Sequence, residues 1–139
     1  KFVAGFIGSP SMNFINGMVI KKDGSLFFKN DQFQVKINES QYSQLQSYLD
    51  KEVTLGIRPE NIYDKLFLAE ASADNTIKAI VEVVEPMGAE LYLYLKKGPL
   101  SFVARVDAHQ KAEVNQDLEI VLDMSKVRFF DASTEKTIA

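Results

Sequence analysis

The sequence predicts an all-β fold, mainly antiparallel, of the barrel or sandwich kind and carrying one short α-helix. Three observations predict it. From about residue 14 onward the dominant hydrophobic period is two, which is the period of a strand with one buried face. Turn signals interrupt that alternation at near-regular intervals: Asp23-Gly24, Asn30-Asp31, Pro86-Met87-Gly88 and Lys97-Gly98-Pro99. Only the window of about 39–49 changes to helical spacing, through Tyr42, Leu45, Tyr48 and Leu49. Many short strands with a single helix can bury one face by closing into a barrel or by stacking two sheets.

The elements follow in order. Phe14, Asn16, Met18 and Ile20 form a strand that runs into Lys22-Asp23-Gly24-Ser25, where the Asp-Gly pair favours a tight hairpin. Leu26 to Phe28 returns, Asn30-Asp31 breaks it, and Phe33, Val35 and Ile37 alternate with Gln34 and Lys36. The helix then opens with Asn38 or Ser40 as its N-cap, since either side chain can accept from a free backbone N–H. Val53, Leu55 and Ile57 make a strand closed by Arg58-Pro59-Glu60. Pro59 keeps Arg58 extended and itself suits the first position of a short helical turn, with Glu60 near that turn's free N–H groups. Strands are expected from Thr76 to Glu85, Glu90 to Lys96, Phe102 to Val106, Leu118 to Leu122 and Val127 to Phe130. Phe129 and Phe130 are adjacent on the last, so only one can point into the core.

Composition bounds the function. A chain of 139 residues, 46% hydrophobic and 25% charged, is expected to be a single globular domain over 1–139. Sixteen Lys and Arg against nineteen Asp and Glu leave a net charge of −3, which argues against a nucleic-acid partner held by net positive charge. No apolar run reaches the eighteen or so residues of a membrane span. With no cysteine, thiol catalysis, disulfides and Cys-based metal sites are excluded, and a reducing cytoplasmic setting is the simple expectation. The opening Lys1-Phe2-Val3-Ala4-Gly5-Phe6-Ile7 has no initiator Met and no signal-peptide pattern, and reads as an element cut from a longer protein.

Catalytic motifs are absent from the sequence. Neither G-x-x-x-x-G-K-[ST] nor G-x-G-x-x-G occurs, so no phosphate cradle can be drawn. His109, the single histidine, lies in a polar stretch between Asp107 and Lys111 and is expected to be a solvated loop residue. Glu82 and Glu85 are expected on opposite faces of a strand, and Glu119 and Asp123 on one solvated face with Val121 between them. Neither arrangement raises a carboxyl pKa as acid catalysis needs. Asn38-Glu39-Ser40 matches a glycosylation sequon and is read as a chance match at a helix start. Leu91-Tyr92-Leu93-Tyr94-Leu95 carries leucines on one side and tyrosines on the other, which points to a packing or partner surface.

Three ordered stretches are more specific: Phe6-Ile7-Gly8-Ser9-Pro10-Ser11-Met12-Asn13-Phe14, Leu55-Gly56-Ile57-Arg58-Pro59-Glu60 and Val83-Val84-Glu85-Pro86-Met87-Gly88-Ala89-Glu90. Together with the closing Phe129-Phe130-Asp131-Ala132-Ser133-Thr134, they resemble the C-terminal regulatory region of ATP-binding subunits from carbohydrate-importing ABC transporters, the maltose and multiple-sugar type. The resemblance covers essentially the whole chain. It implies a transport-associated OB (TOBE) domain, an OB-like β-barrel assembly that follows a nucleotide-binding domain missing here. It also implies a homodimer on the cytoplasmic face of two membrane permeases, peripheral at the inner face of a bacterial membrane. ATP and Mg would be bound by the missing domain, leaving no catalytic, cofactor or metal residue in this chain. Some members of the family also receive an enzyme IIA of the phosphotransferase system or another regulator.

The family-motif residues Gly8, Ser9, Pro10, Met12, Asn13, Gly56, Arg58, Pro59, Glu60, Gly88 and Asp131 are expected to be structural. Arg58 would form an ion pair or bond loop carbonyls, with contact to another subunit as the alternative, and Gly56 would suit a tight turn or a close backbone approach. Candidate interface residues are Tyr92, Tyr94 and Phe130. The alternative is a small-ligand barrel that senses an oxyanion or sugar, as related barrels of oxyanion importers do. Lys21-Lys22 and Lys96-Lys97 are the cations available to it.

Overall fold

The computed structural model describes residues 11–68 and 72–139; Gly8, Ser9, Pro10 and the opening apolar run lie outside the described residues. The first strand, β1 (Asn13–Lys22), pairs antiparallel with β2 (Ser25–Lys29) through the loop Asp23-Gly24. Both loop residues have positive φ, 52° and 81°, as a two-residue hairpin whose twist matches its strands requires. Next, β3 (Gln34–Lys36) returns beside β2 after Asn30 Oδ1 accepts from the backbone N–H of Gln32 and Phe33, at 2.8 and 3.0 Å.

The expected helix is present but divided: a 3₁₀ turn at Glu39–Gln41, a four-residue α1 (Tyr42–Leu45) and a second 3₁₀ turn at Gln46–Tyr48. Asn38 is the cap, accepting from Ser40 N–H at 3.0 Å. Leu45 is the single buried residue of the segment, so one anchor holds a stretch too short to sustain regular α geometry on its own.

After it, β4 (Glu52–Ile57) pairs with β1 on one side and with the last strand, β10 (Arg128–Asp131), on the other. The first sheet is therefore ordered β10-β4-β1-β2-β3. The second sheet is ordered β5-β9-β6-β7-β8, with β5 (Ile62–Asp64), β6 (Thr76–Met87), β7 (Glu90–Lys97), β8 (Leu100–Asp107) and β9 (Asp117–Leu122). All these pairings are antiparallel. Residues of both sheets enter one buried cluster, including Val19, Phe28, Leu55, Leu95, Leu122 and Phe129. The fold class is as the sequence predicts, all-β and OB-like with one short helical segment.

Two expectations on β6 and β9 need correction. The β6–β7 register shifts between Val81 and Val83, so Glu82 is an extra residue without a partner on β7. The bulge reverses the alternation beyond it: Val83 and Glu85 face outward opposite Tyr94 and Tyr92, on the same side as Glu82. On β9, Val121 is buried, although Glu119 beside it is exposed. The cause is β5, a three-residue strand too short for its period to be read, which pairs Tyr63 with Val121. The helical turn Lys65–Phe67 packs on the same strand.

Candidate functional site

Most described family-motif residues converge where β1, β4 and β10 meet. Asn13 is buried and acts as a polar bolt between the sheets. Its Nδ2 donates to the carbonyls of Ile57 at 3.2 Å and Val103 at 2.9 Å, while its Oδ1 accepts from Val103 N–H at 2.7 Å. The side-chain amide thus bonds β8 as a neighbouring strand's peptide would, and carries β8 onto the first sheet. Gly56 faces Met12 and Phe130: a Cβ there would come within 2.7 Å of Met12 Sδ and 2.8 Å of Phe130 Cε2. The close approach expected of Gly56 is therefore made by two other motif residues. Phe129 is fully buried, whereas Phe130 is half-buried and sets its ring edge-on to Phe14 at 5.8 Å.

Pro59 opens the helical turn Pro59–Asn61 with Arg58 extended before it, as expected. Glu60 lies 3.9 Å from Arg105, whose Nε is also 3.2 Å from Glu90. Arg105 was not legible as part of this arrangement, because its place opposite Tyr92 depends on the β7–β8 register. Among the described residues Arg58 does not make the ion pair that was one of the contacts expected of it. Its side chain is exposed and projects instead into a cleft with Lys126 and Arg128.

At the end of β10, Asp131 organises the closing turn. Its Oδ1 accepts from Ser133 and Thr134 N–H at 2.8 and 2.9 Å, and its Oδ2 from the Tyr48 hydroxyl at 2.8 Å. The Thr134 N–H first, then Tyr48 and Ser133, hold the carboxyl below its ordinary pKa, and the same contact raises that of Tyr48.

The interface candidates separate. Tyr92 and Tyr94 share the outer face of the second sheet, while Phe130 belongs to the first. Tyr94 donates to Glu85 Oε1 at 2.9 Å, and its pKa is raised by burial and then by that bond. Around the tyrosines the face carries Ile80, Val83 and Met87, each 45–49% exposed. Gly88 starts the β6–β7 loop with φ +66°. His109 lies in an exposed turn with its Nδ1 2.6 Å from Asp107. Glu119 pairs with Lys65 at 3.2 Å, and Asp123 Oδ1 accepts from the Ser125 N–H and hydroxyl.

Two antiparallel five-stranded sheets around one core, bolted by a buried asparagine and with the motif residues in structural positions, define an OB-type β-barrel module. The comparisons place it more closely. Residues 8–62 match the MalK OB fold domain, residues 55–130 match the TOBE domain, and the chain belongs to the TOBE-domain family.

Among similar proteins, the multiple sugar-binding transport ATP-binding protein MsmK of Streptococcus mutans is 44% identical over 99% of this chain and 36% of its own length. The trehalose/maltose import ATP-binding protein MalK of Thermococcus litoralis is 36% identical over 99% of this chain and 37% of its own. The oligosaccharides import ATP-binding protein MsmX of Bacillus subtilis is 37% identical with the same coverage. The chain therefore spans a little over a third of the length of these relatives. The cytoplasmic molybdate-binding protein ModG superposes with a TM-score of 0.65 over 84% of this chain and 94% of its own, at 15% identity, which shows the shared fold alone. Among the described residues no helix is long and apolar enough to cross a membrane.

Proposed function

We propose that this chain is the regulatory and dimerising part of the ATP-binding subunit of an ABC transporter that couples ATP hydrolysis to carbohydrate import. The observation that carries the reading is the end-to-end similarity to sugar-import ATP-binding proteins. ATP and Mg belong to the part of the subunit outside this chain, and no residue here takes part in hydrolysis. The subunit sits at the inner face of a bacterial membrane against two permeases, as a homodimer to which these barrels contribute.

The outer face of β6 and β7 supports a self-association surface. Ile80, Val83 and Met87 leave apolar area in water around two tyrosines, and an interface core is typically apolar and rich in aromatics. A phosphotransferase enzyme IIA, or another regulator protein, is a further partner of such a subunit.

Sedimentation equilibrium of the complete ATP-binding subunit tests the surface. Tyr92→Lys and Val83→Lys should each weaken self-association by about tenfold or more, with an unchanged circular dichroism spectrum. Phe130→Lys probes the first sheet in the same assay. A dimer unaffected by both substitutions on the β6–β7 face would remove that face from the account.

A further inference from the structure

We infer that the cleft between the end of β4 and the start of β10 binds a phosphate-class oxyanion, free or carried on a small ester. The cleft has a volume of about 330 Å³, which suits a small ligand. Arg58 lines it from the end of β4, and Lys126 and Arg128, two residues apart, line it from the turn before β10 and the start of that strand. Arg128 pairs with Gly56, so Arg58, two residues further along β4's path, emerges beside it. Lys126 comes from a turn closed by its own N–H on Asp123 O at 2.9 Å, and Asp123 N–H fixes that turn to Asn61 O at 3.0 Å.

None of the three cations forms an ion pair among the described residues. Glu60, two residues from Arg58, lies 3.9 Å from Arg105 instead, and Asp123, three residues before Lys126, turns Oδ1 back onto Ser125, at 3.1 Å from its N–H and 2.6 Å from its hydroxyl. Three cations against the single terminal carboxylate of Ala139, which also lines the cleft, leave an excess of positive charge around one concavity, and a dianion offsets it. Two guanidinium groups supply the paired N–H donors that a phosphate accepts best. Asn61 and Ser125 add uncharged polar groups to the wall. Gln41 is held by Nε2 on Val127 O at 2.9 Å, which leaves its Oε1 buried without a donor. The site differs from the lysine pairs that the sequence offered as anion ligands.

Titration of the 139-residue chain with inorganic phosphate, and separately with glycerol 3-phosphate, tests the site by amide NMR. Ionic strength is held constant with chloride. Saturable shifts should gather at 58, 61 and 125–128, and Arg58→Gln and Arg128→Gln should each raise Kd about tenfold. Lys97→Gln, in a basic turn elsewhere, should bind as the parent does. Tighter binding of the ester makes a phosphate monoester the occupant; equal or tighter binding of inorganic phosphate makes it the free anion. Shifts that do not saturate with either probe, or that persist unchanged in both arginine variants, overturn the inference.

Discussion

Asp131 gathers three donors on one carboxylate, and its depressed pKa makes that arrangement visible in a titration. The Thr134 N–H, the Tyr48 hydroxyl and the Ser133 N–H all favour the charged form. A carboxyl whose folded pKa is lowered contributes its full stability above the unfolded value, and loses it as pH falls through the folded one. The stability gap between the parent and Asp131→Asn, from urea unfolding, should therefore be constant above about pH 5 and narrow below about pH 4. A gap that widens in acid would contradict the assignment. That Asp131 belongs to a structural turn was legible from its motif and the polar residues after it. That Tyr48 completes the turn was not, because 83 residues separate the two. Gly56 is similar: its need for a hydrogen side chain comes from Met12 and Phe130, which only the strand pairing brings to it.

At the scale of elements, β4 and β8 depend on a side chain of β1. Replacing Asn13 with Ala removes three hydrogen bonds and strands the carbonyl and N–H of Val103 in a buried junction. The expected cost is about 2–4 kcal/mol by urea denaturation, with the denaturant slope unchanged. Asn13→Asp should be worse at neutral pH, because a carboxylate would face two carbonyls, and should recover in acid as it gains a proton. A loss under about 0.5 kcal/mol for the Ala variant would show that the junction holds without the bolt.

The strands themselves were largely readable. Met18 to Phe28 folds as the alternation and the Asp-Gly pair require, and the strands around Leu93, Ala104 and Ile120 follow from their period. The bulge at Glu82 was not readable, since Ile80, Glu82 and Val84 continue a plausible alternation and only β7 reveals the shift. Short β5 was missed for want of length, and with it the burial of Val121. The helical segment was readable as a turn of period and an Asn38 cap, but not in its division into three pieces.

Across the whole molecule, the barrel positions a tyrosine face on one sheet and a cationic cleft on the other, well separated along the topology. With the proposed occupants, a second copy on the face and a small anion in the cleft, one module would contribute to both assembly and sensing. The cleft was beyond sequence reasoning because its cations, at 58, 126 and 128, meet only through the β4–β10 pairing. The family was within reach, because its motifs lie in local stretches whose order survives in one dimension.

Membership of this module in the ATP-binding subunit of a sugar importer is tested by reading the coding sequence immediately upstream of Lys1. An in-frame phosphate loop of the form G-x-x-x-x-G-K-[ST], followed by an ABC signature, is expected there. An unrelated domain in that position, or a start codon at Lys1, would contradict it.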